Sequence, residues 1–263
     1  MNRNSPIGIF DSGVGGTSIW KEIHELMPFE HTTYLADSKN APYGSRSPEE
    51  IVALSIKNTE KLIDFGCKII VVACNTATTN AIATLRATFG LPFIGIEPAI
   101  KPAALNSKSG SIGILATKGT LNSELFAKTS EKLSNDIKTI EVIGEGLVPL
   151  IESGKLNSEE IKVLLKKYTK PMVDAHVDYI VLGCSHYPYL IPALKEILPQ
   201  HISIIDSGKA VARQTKTVLN NLDFLRTETT SPRLSFYTND DPKTLEGLLE
   251  AYSDKIAIEV LDF

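Results

Sequence analysis

The amino-acid sequence predicts an α/β protein: two doubly wound lobes of mostly parallel sheet, related by a repeat and facing each other across a cleft. Three observations predict it. Short β-branched apolar runs alternate with helical patterns along all 263 residues. Runs such as 68–73 are apolar without period-two alternation, as parallel strands covered on both faces should be. Two segments also recur at similar spacing, which is how an internal repeat reads in sequence.

Taken in order, Ile7-Gly8-Ile9-Phe10 is the first expected strand and 33–36 the second. Ser47-Pro48-Glu49-Glu50 is a capping box with Pro at the first helical position, opening a helix to about Phe65. The run 68–73 is the third strand, and it leads through Cys74 into a helical stretch over 76–88. Further strands are expected at 92–96, 111–115 and 139–143. Asn157-Ser158-Glu159-Glu160 opens another helix with a similar cap, lacking the Pro. Strands at 178–183, 202–205, 233–237 and 256–261 complete the set. The first strand and its exit, from Ile7 to Gly13, are echoed 105 residues later by Ile112-Gly113-Ile114-Leu115-Ala116-Thr117-Lys118. The run ending in Ala73-Cys74-Asn75-Thr76 is echoed 110 residues later by the run ending in Gly183-Cys184-Ser185-His186. All four segments end a strand, where doubly wound sheets bind ligands. The stretch 207–263 is expected to return to the first lobe. That gives a discontinuous domain of 1–97 plus 207–263 and a second lobe of 98–206.

Composition narrows the function. Hydrophobic content of 43% with 22% charged residues is that of a soluble globular chain. The net charge of −4 gives no basic footprint for nucleic acid and no polybasic membrane patch. Neither a signal peptide nor an apolar run of ~18 residues is present, so a cytoplasmic protein is expected. The three cysteines, Cys67, Cys74 and Cys184, contain no Cys-x-x-Cys pair, which argues against a disulfide framework or a structural zinc.

The candidate chemistry sits at the strand ends. Cys74 precedes a helix, and a helix N-terminus with hydrogen-bond donors is expected to lower its pKa from ~8.5. An isolated Cys is more often a buried packing residue, which is the reading kept for Cys67; the matched Cys184 reverses it for Cys74. His186 beside Cys184 is placed to be its proton partner, or equally a structural histidine. In Asp11-Ser12-Gly13-Val14-Gly15-Gly16, Gly15 and Gly16 allow close backbone approach to a ligand, but the loop is a weak match to phosphate-binding patterns. Asp11 is the wrong charge beside a phosphate and suits an ammonium group or a thiol's proton; the alternative is an N-cap. Ala41-Pro42-Tyr43-Gly44-Ser45 is a turn that either clamps a small ligand through backbone N–H and hydroxyl groups or is ordinary surface. Thr117, the echo of Ser12, is a second-lobe contact, while Glu152 reads by itself as a solvated helix end.

Four strings together resemble the glutamate racemases of the bacterial aspartate/glutamate racemase superfamily. They are 8–16 (from Gly8 to Gly16), Pro42-Tyr43-Gly44, Ala73-Cys74-Asn75-Thr76-Ala77 and Leu182-Gly183-Cys184-Ser185-His186-Tyr187-Pro188. The resemblance runs essentially end to end, with Ser185 standing where the family usually has Thr. It implies two flavodoxin-like lobes and interconversion of L- and D-glutamate without a cofactor or metal, supplying D-glutamate to peptidoglycan. It implies that Cys74 and Cys184 are the acid/base thiols. Asp11 then assists Cys74, and His186 with Glu152 assists Cys184. It further implies that Asp11, Ser12, Pro42, Tyr43, Gly44, Asn75, Thr76, Thr117, Ser185 and His186 hold the substrate, and that the protein is a homodimer. The first strand begins at Ile7, so the N-terminal extension of some members is not expected. Aspartate is the rival substrate, since one methylene is worth only ~1–3 kcal/mol of discrimination. An amino-acid-binding module is the rival of another class, and it has no use for matched cysteines.

Overall fold

The structure, a computed structural model, describes residues 2–131, 133 and 136–263. The first half of the chain runs β1 (Ile7–Asp11), α1 (Thr17–Leu26), β2 (Thr32–Ala36), α2 (Pro48–Asp64), β3 (Ile69–Val72), α3 (Asn75–Thr88), β4 (Phe93–Gly95) and α4 (Ile100–Asn106). Next come β5 (Ser111–Ala116), α5 (Lys118–Leu121), α6 (Glu124–Ser130), β6 (Lys138–Ile143), α7 (Leu147–Glu152), α8 (Glu159–Asp174) and β7 (Tyr179–Gly183). The chain closes with α9 (Ile191–Ile197), β8 (Ser203–Ile205), α10 (Gly208–Asn221), β9 (Leu234–Thr238), α11 (Lys243–Leu248) and β10 (Ile256–Val260).

Two sheets form, in the orders β10-β9-β2-β1-β3-β4 and β6-β5-β7-β8, and every pairing in both is parallel. The four strands of the second sheet repeat the order β2-β1-β3-β4 of the first, so the echo seen in sequence is an echo of topology. Parallel strands need crossover connections, and the helices supplying them cover both faces. Hence β1, β2 and β3 are buried at every position, whereas the edge strand β10 is half-buried or exposed throughout. The C-terminal segment adds β9 and β10 beyond β2, and α10 packs along α1.

Local chemistry sets the helix starts. Ser47 accepts from the Glu50 amide while Glu50 reaches back to the Ser47 amide, closing the capping box ahead of Pro48. Ser158 accepts from the Ile161 amide at the start of α8. Two chain segments join the sheets, one after β4 and one after β8, and the Ser207 hydroxyl ties them by donating to the Glu97 carbonyl. No described helix is long and apolar enough to cross a membrane. Cys67 is fully buried in the core, and burial pushes its thiol up to about 12.

Candidate active site

The strand ends of β1, β3, β5 and β7 converge between the two sheets. There they enclose a cavity of only about 10 Å3, room for about one water. Its wall contains Ser12, Pro42, Tyr43, Gly44, Cys74, Asn75 and Thr76 from the chain before α4. Thr117, Cys184, Ser185 and His186 face them from the second sheet. Both thiols therefore border one space.

Cys74 is the N-cap of α3, and its sulfur accepts from the Ala77 amide at 3.4 Å with the Ser12 hydroxyl at 3.6 Å. The expected lowering of its pKa does not come about. Burial raises it strongly and the Asp11 carboxylate adds to that, outweighing the Ala77 and Ser12 hydrogen bonds. Cys74 stands as a protonated thiol, a proton donor. Cys184 departs from the pattern in another way. The chain after it turns through a 3-10 segment, Tyr187–Leu190, before the short α9. The amide three residues on, that of Tyr187, bonds to the Cys184 carbonyl, so the neighbour of the sulfur is the imidazole, with His186 Nδ1 at 3.7 Å.

Asp11 and Glu152 stand behind the wall. Asp11 is fully buried; its Oδ2 accepts from the Gly13 and Gly16 amides at 3.2 and 3.0 Å, and its Oδ1 from the Ser185 hydroxyl at 3.0 Å. These amides belong to the loop leading to α1, whose N-cap is Gly16, so the N-cap alternative for Asp11 does not hold. Burial raises its pKa, partly countered by His186. Glu152 is not the solvated helix end that its sequence context suggests. Its Oε1 lies 2.5 Å from His186 Nε2 and accepts from the Val14 amide at 2.8 Å, while its Oε2 accepts from Ser38 at 3.2 Å. The lobes meet across it.

Two glycines make that meeting possible, which corrects the reading of Gly15 as an approach for a ligand. A Cβ on Gly13 would lie 2.0 Å from the Glu152 carboxylate, and one on Gly15 would lie 2.3 Å from the His186 ring. The space belongs to side chains of the other lobe. The Tyr43 hydroxyl is also engaged elsewhere, donating to Asp37 and accepting from Asn58. It leaves the turn's backbone and ring edge to face the cavity.

Burial pulls the His186 imidazolium down. Hydrogen bonds to Cys184 and Glu152, and the carboxylates of Glu152 and Asp11, outweigh it, and its pKa stands well above the ordinary histidine value. The resulting stabilisation is full below the unfolded value near ~6.5 and drains away as pH rises through the raised folded value. Glu152→Gln should therefore lose more stability at about pH 6 than at about pH 9, as urea unfolding at both would show; an equal loss would contradict a charged pair.

Sequence reasoning missed Val148, which lines the cavity. It lies one helical turn before Glu152 on α7, so the i, i+4 spacing would have found it once Glu152 was placed. It also missed Ser18, whose hydroxyl donates to the Ser185 carbonyl at 2.8 Å, and Tyr189, whose hydroxyl lies 2.6 Å from Thr17 Oγ1.

One feature of the wall has no partner among the described residues. Asn75 is 2% exposed, and neither its amide nitrogen nor its oxygen makes a hydrogen bond. A buried amide left unpaired is costly, and such groups are held for a ligand or solvent.

Known proteins resemble this arrangement. The family model described as Asp/Glu/Hydantoin racemase matches residues 7–215. A glutamate racemase of Herpetosiphon aurantiacus is 42% identical over 240 residues, covering 91% of this chain and 94% of that one. The crystal structure of glutamate racemase isoform RacE1 from Bacillus anthracis is 30% identical with a TM-score of 0.89, covering 100% of this chain and 99% of that one. The Francisella tularensis glutamate racemase, crystallised with D-glutamate, is 27% identical with a TM-score of 0.85, covering 99% and 98%.

Proposed function

The chain belongs to the Asp/Glu/hydantoin racemase family and is an amino-acid racemase, and from that premise we propose that it interconverts L- and D-glutamate with two thiols and no cofactor. The observation that carries the mechanism is that Cys74 and Cys184 border one cavity from opposite lobes. One thiolate takes the Cα proton, so that a C–H bond breaks and an S–H bond forms. The opposite thiol then donates its proton to the other face of the carbanion and is left as thiolate. The reverse reaction exchanges the roles.

Without an electron sink such as a pyridoxal ring, the cavity itself must stabilise the carbanion. Preorganised donors serve this best where water is excluded. The buried hydroxyls of Ser12 and Thr76 and the unpartnered amide of Asn75 are such groups. In this reading Asp11 receives the substrate ammonium, which lowers the field that now raises Cys74, and His186, held by Glu152, supports Cys184. Thr117 and the Pro42–Gly44 turn complete the enclosure. A cavity of about 10 Å3 does not admit an amino acid, so the lobes part to load it. We take those lobes as 1–97 with 207–263 and as 98–206, from the sheet each strand joins. The glutamate assignment rests on the relatives and extends to a cytoplasmic homodimer that supplies D-glutamate for peptidoglycan.

Incubation with L-glutamate in heavy water, with no added cofactor, tests this. The expected product is D-glutamate carrying one deuterium at Cα. Conversion of aspartate alone would move the substrate to aspartate, and turnover of neither would favour a binding module.

A further inference from the structure

A second recess, of 190 Å3, opens between the lobes next to the closed cavity and shares Gly44 with it. Gly44, Arg46 and Asn80 line it from one side, and Lys118 and Gly119 from the other. The wall between recess and cavity is made of facing backbone. A Cβ on Gly119 would lie 3.2 Å from Gly44 Cα and 2.8 Å from Thr76 Cγ2; one on Gly44 would lie 2.9 Å from Thr117 Cβ. Three hydrogen bonds span this seam: Thr76 Oγ1 lies 2.8 Å from Thr117 Oγ1 and 3.4 Å from Thr120 Oγ1, and Asn80 Nδ2 donates to the Gly119 carbonyl at 3.2 Å. Parting the lobes here breaks three neutral hydrogen bonds and displaces no bulky side chain.

The recess is positive on a chain whose net charge is −4. No acidic residue lines it. Lys118 is exposed and makes no ion pair among the described residues. Arg46 donates from Nε to the Asn40 carbonyl at 2.7 Å and has Glu50 only at 3.9 Å, on the exposed side of α2. Charges of one sign in a cleft with low-dielectric walls concentrate ligands of the opposite sign.

We infer that this recess is the vestibule through which an anionic amino acid enters, with Lys118 and Arg46 drawing in its carboxylate and the Gly44–Gly119 seam as the door. The inference rests on the reading of the substrate as an acidic amino acid. Its test does not depend on turnover. Iodoacetate and iodoacetamide alkylate thiols alike and differ in charge, and both must pass the door to reach Cys74 and Cys184. Rates at each cysteine are read by mass spectrometry, with buried Cys67 as internal control. Lys118→Glu is expected to lower the iodoacetate-to-iodoacetamide ratio at the cavity thiols by about three- to tenfold at low salt. The drop should fade as salt shortens the screening length to ~8 Å and below. Gly119→Ala should hold the door ajar and speed iodoacetamide several-fold at both thiols. In the racemisation assay, Lys118→Glu should lower kcat/KM with kcat unchanged. An unaltered alkylation ratio in Lys118→Glu, or unaltered rates in Gly119→Ala, overturns the vestibule even if the enzyme racemises glutamate. A wild type that racemises nothing overturns the substrate reading and leaves the alkylation result to stand alone.

Discussion

Cys74→Ala and Cys184→Ala are each expected to cut racemisation by about 10³-fold or more, because in the proposed two-thiol mechanism each removes the acid/base group that serves one face of the substrate. The two losses should be alike, since a racemase needs both faces in every turnover. A finer readout separates this mechanism from a one-base alternative. In heavy water each single-thiol enzyme should still exchange the Cα proton of one enantiomer without inverting it. The two variants should choose opposite enantiomers, because Cys74 and Cys184 approach from opposite lobes. The small volumes removed at these cavity-wall positions leave the fold intact, which circular dichroism would verify. Full racemisation by either variant, or exchange of the same enantiomer by both, would end the two-thiol account.

The largest expected effect on stability lies far from the site. Lys68 is fully buried, and its Nζ spends all three protons: on Glu30 Oε2 at 2.6 Å, the Arg3 carbonyl at 2.6 Å and the Phe224 carbonyl at 2.9 Å. The other Glu30 oxygen accepts from the Arg226 amide at 2.7 Å. This one clasp joins the N-terminal segment, the entry to β3, the α1–β2 connection and the chain after α10. Burial lowers the Lys68 pKa, and the Glu30 hydrogen bond and charge work against that. Lys68→Met would strand a buried carboxylate, at about 3–5 kcal/mol. That is a large part of the ~5–15 kcal/mol available to a folded domain. Lys68→Met with Glu30→Leu should recover most of the loss, because a buried ion pair and an apolar pair of similar volume are often equivalent. Urea midpoints for the single and double variants decide it; a double variant as unstable as the single would show that the clasp acts through shape and not charge.

The strands were legible because each is a short apolar run buried on both faces, so composition alone marks it. All ten expected runs coincide with observed strands to within two residues at either end. Capping is equally local: Ser47 and Ser158 bond to amides three residues away. The setting of Cys74 was legible for the same reason, since a sulfur at an N-cap meets the amide of its own helix. Its pKa was not. Helix and hydroxyl donors favour the thiolate, but burial and a carboxylate brought from β1 prevail, and neither is written near residue 74. The likeness of Cys184 to Cys74 ends at the amide three residues on: that of Ala77 meets the sulfur, whereas that of Tyr187 meets the Cys184 carbonyl.

By itself, then, the sequence determined the fold class, the elements, the repeat and which residues end the strands, because hydrophobic periodicity and caps act over one or two turns of chain. Only the tertiary structure decided which strand ends meet and what they do to one another. It took Glu152 from an apparently solvated helix end to the Val14 amide, 138 residues away in the chain. It set Ser185 on Asp11 across 174 residues. It turned Gly15 from an approach for a ligand into the seat of His186, and made Gly13 the seat of Glu152. Contacts at such separations form only when the lobes close on each other, and burial, which shifts every charge in the cleft, comes into being with that closure.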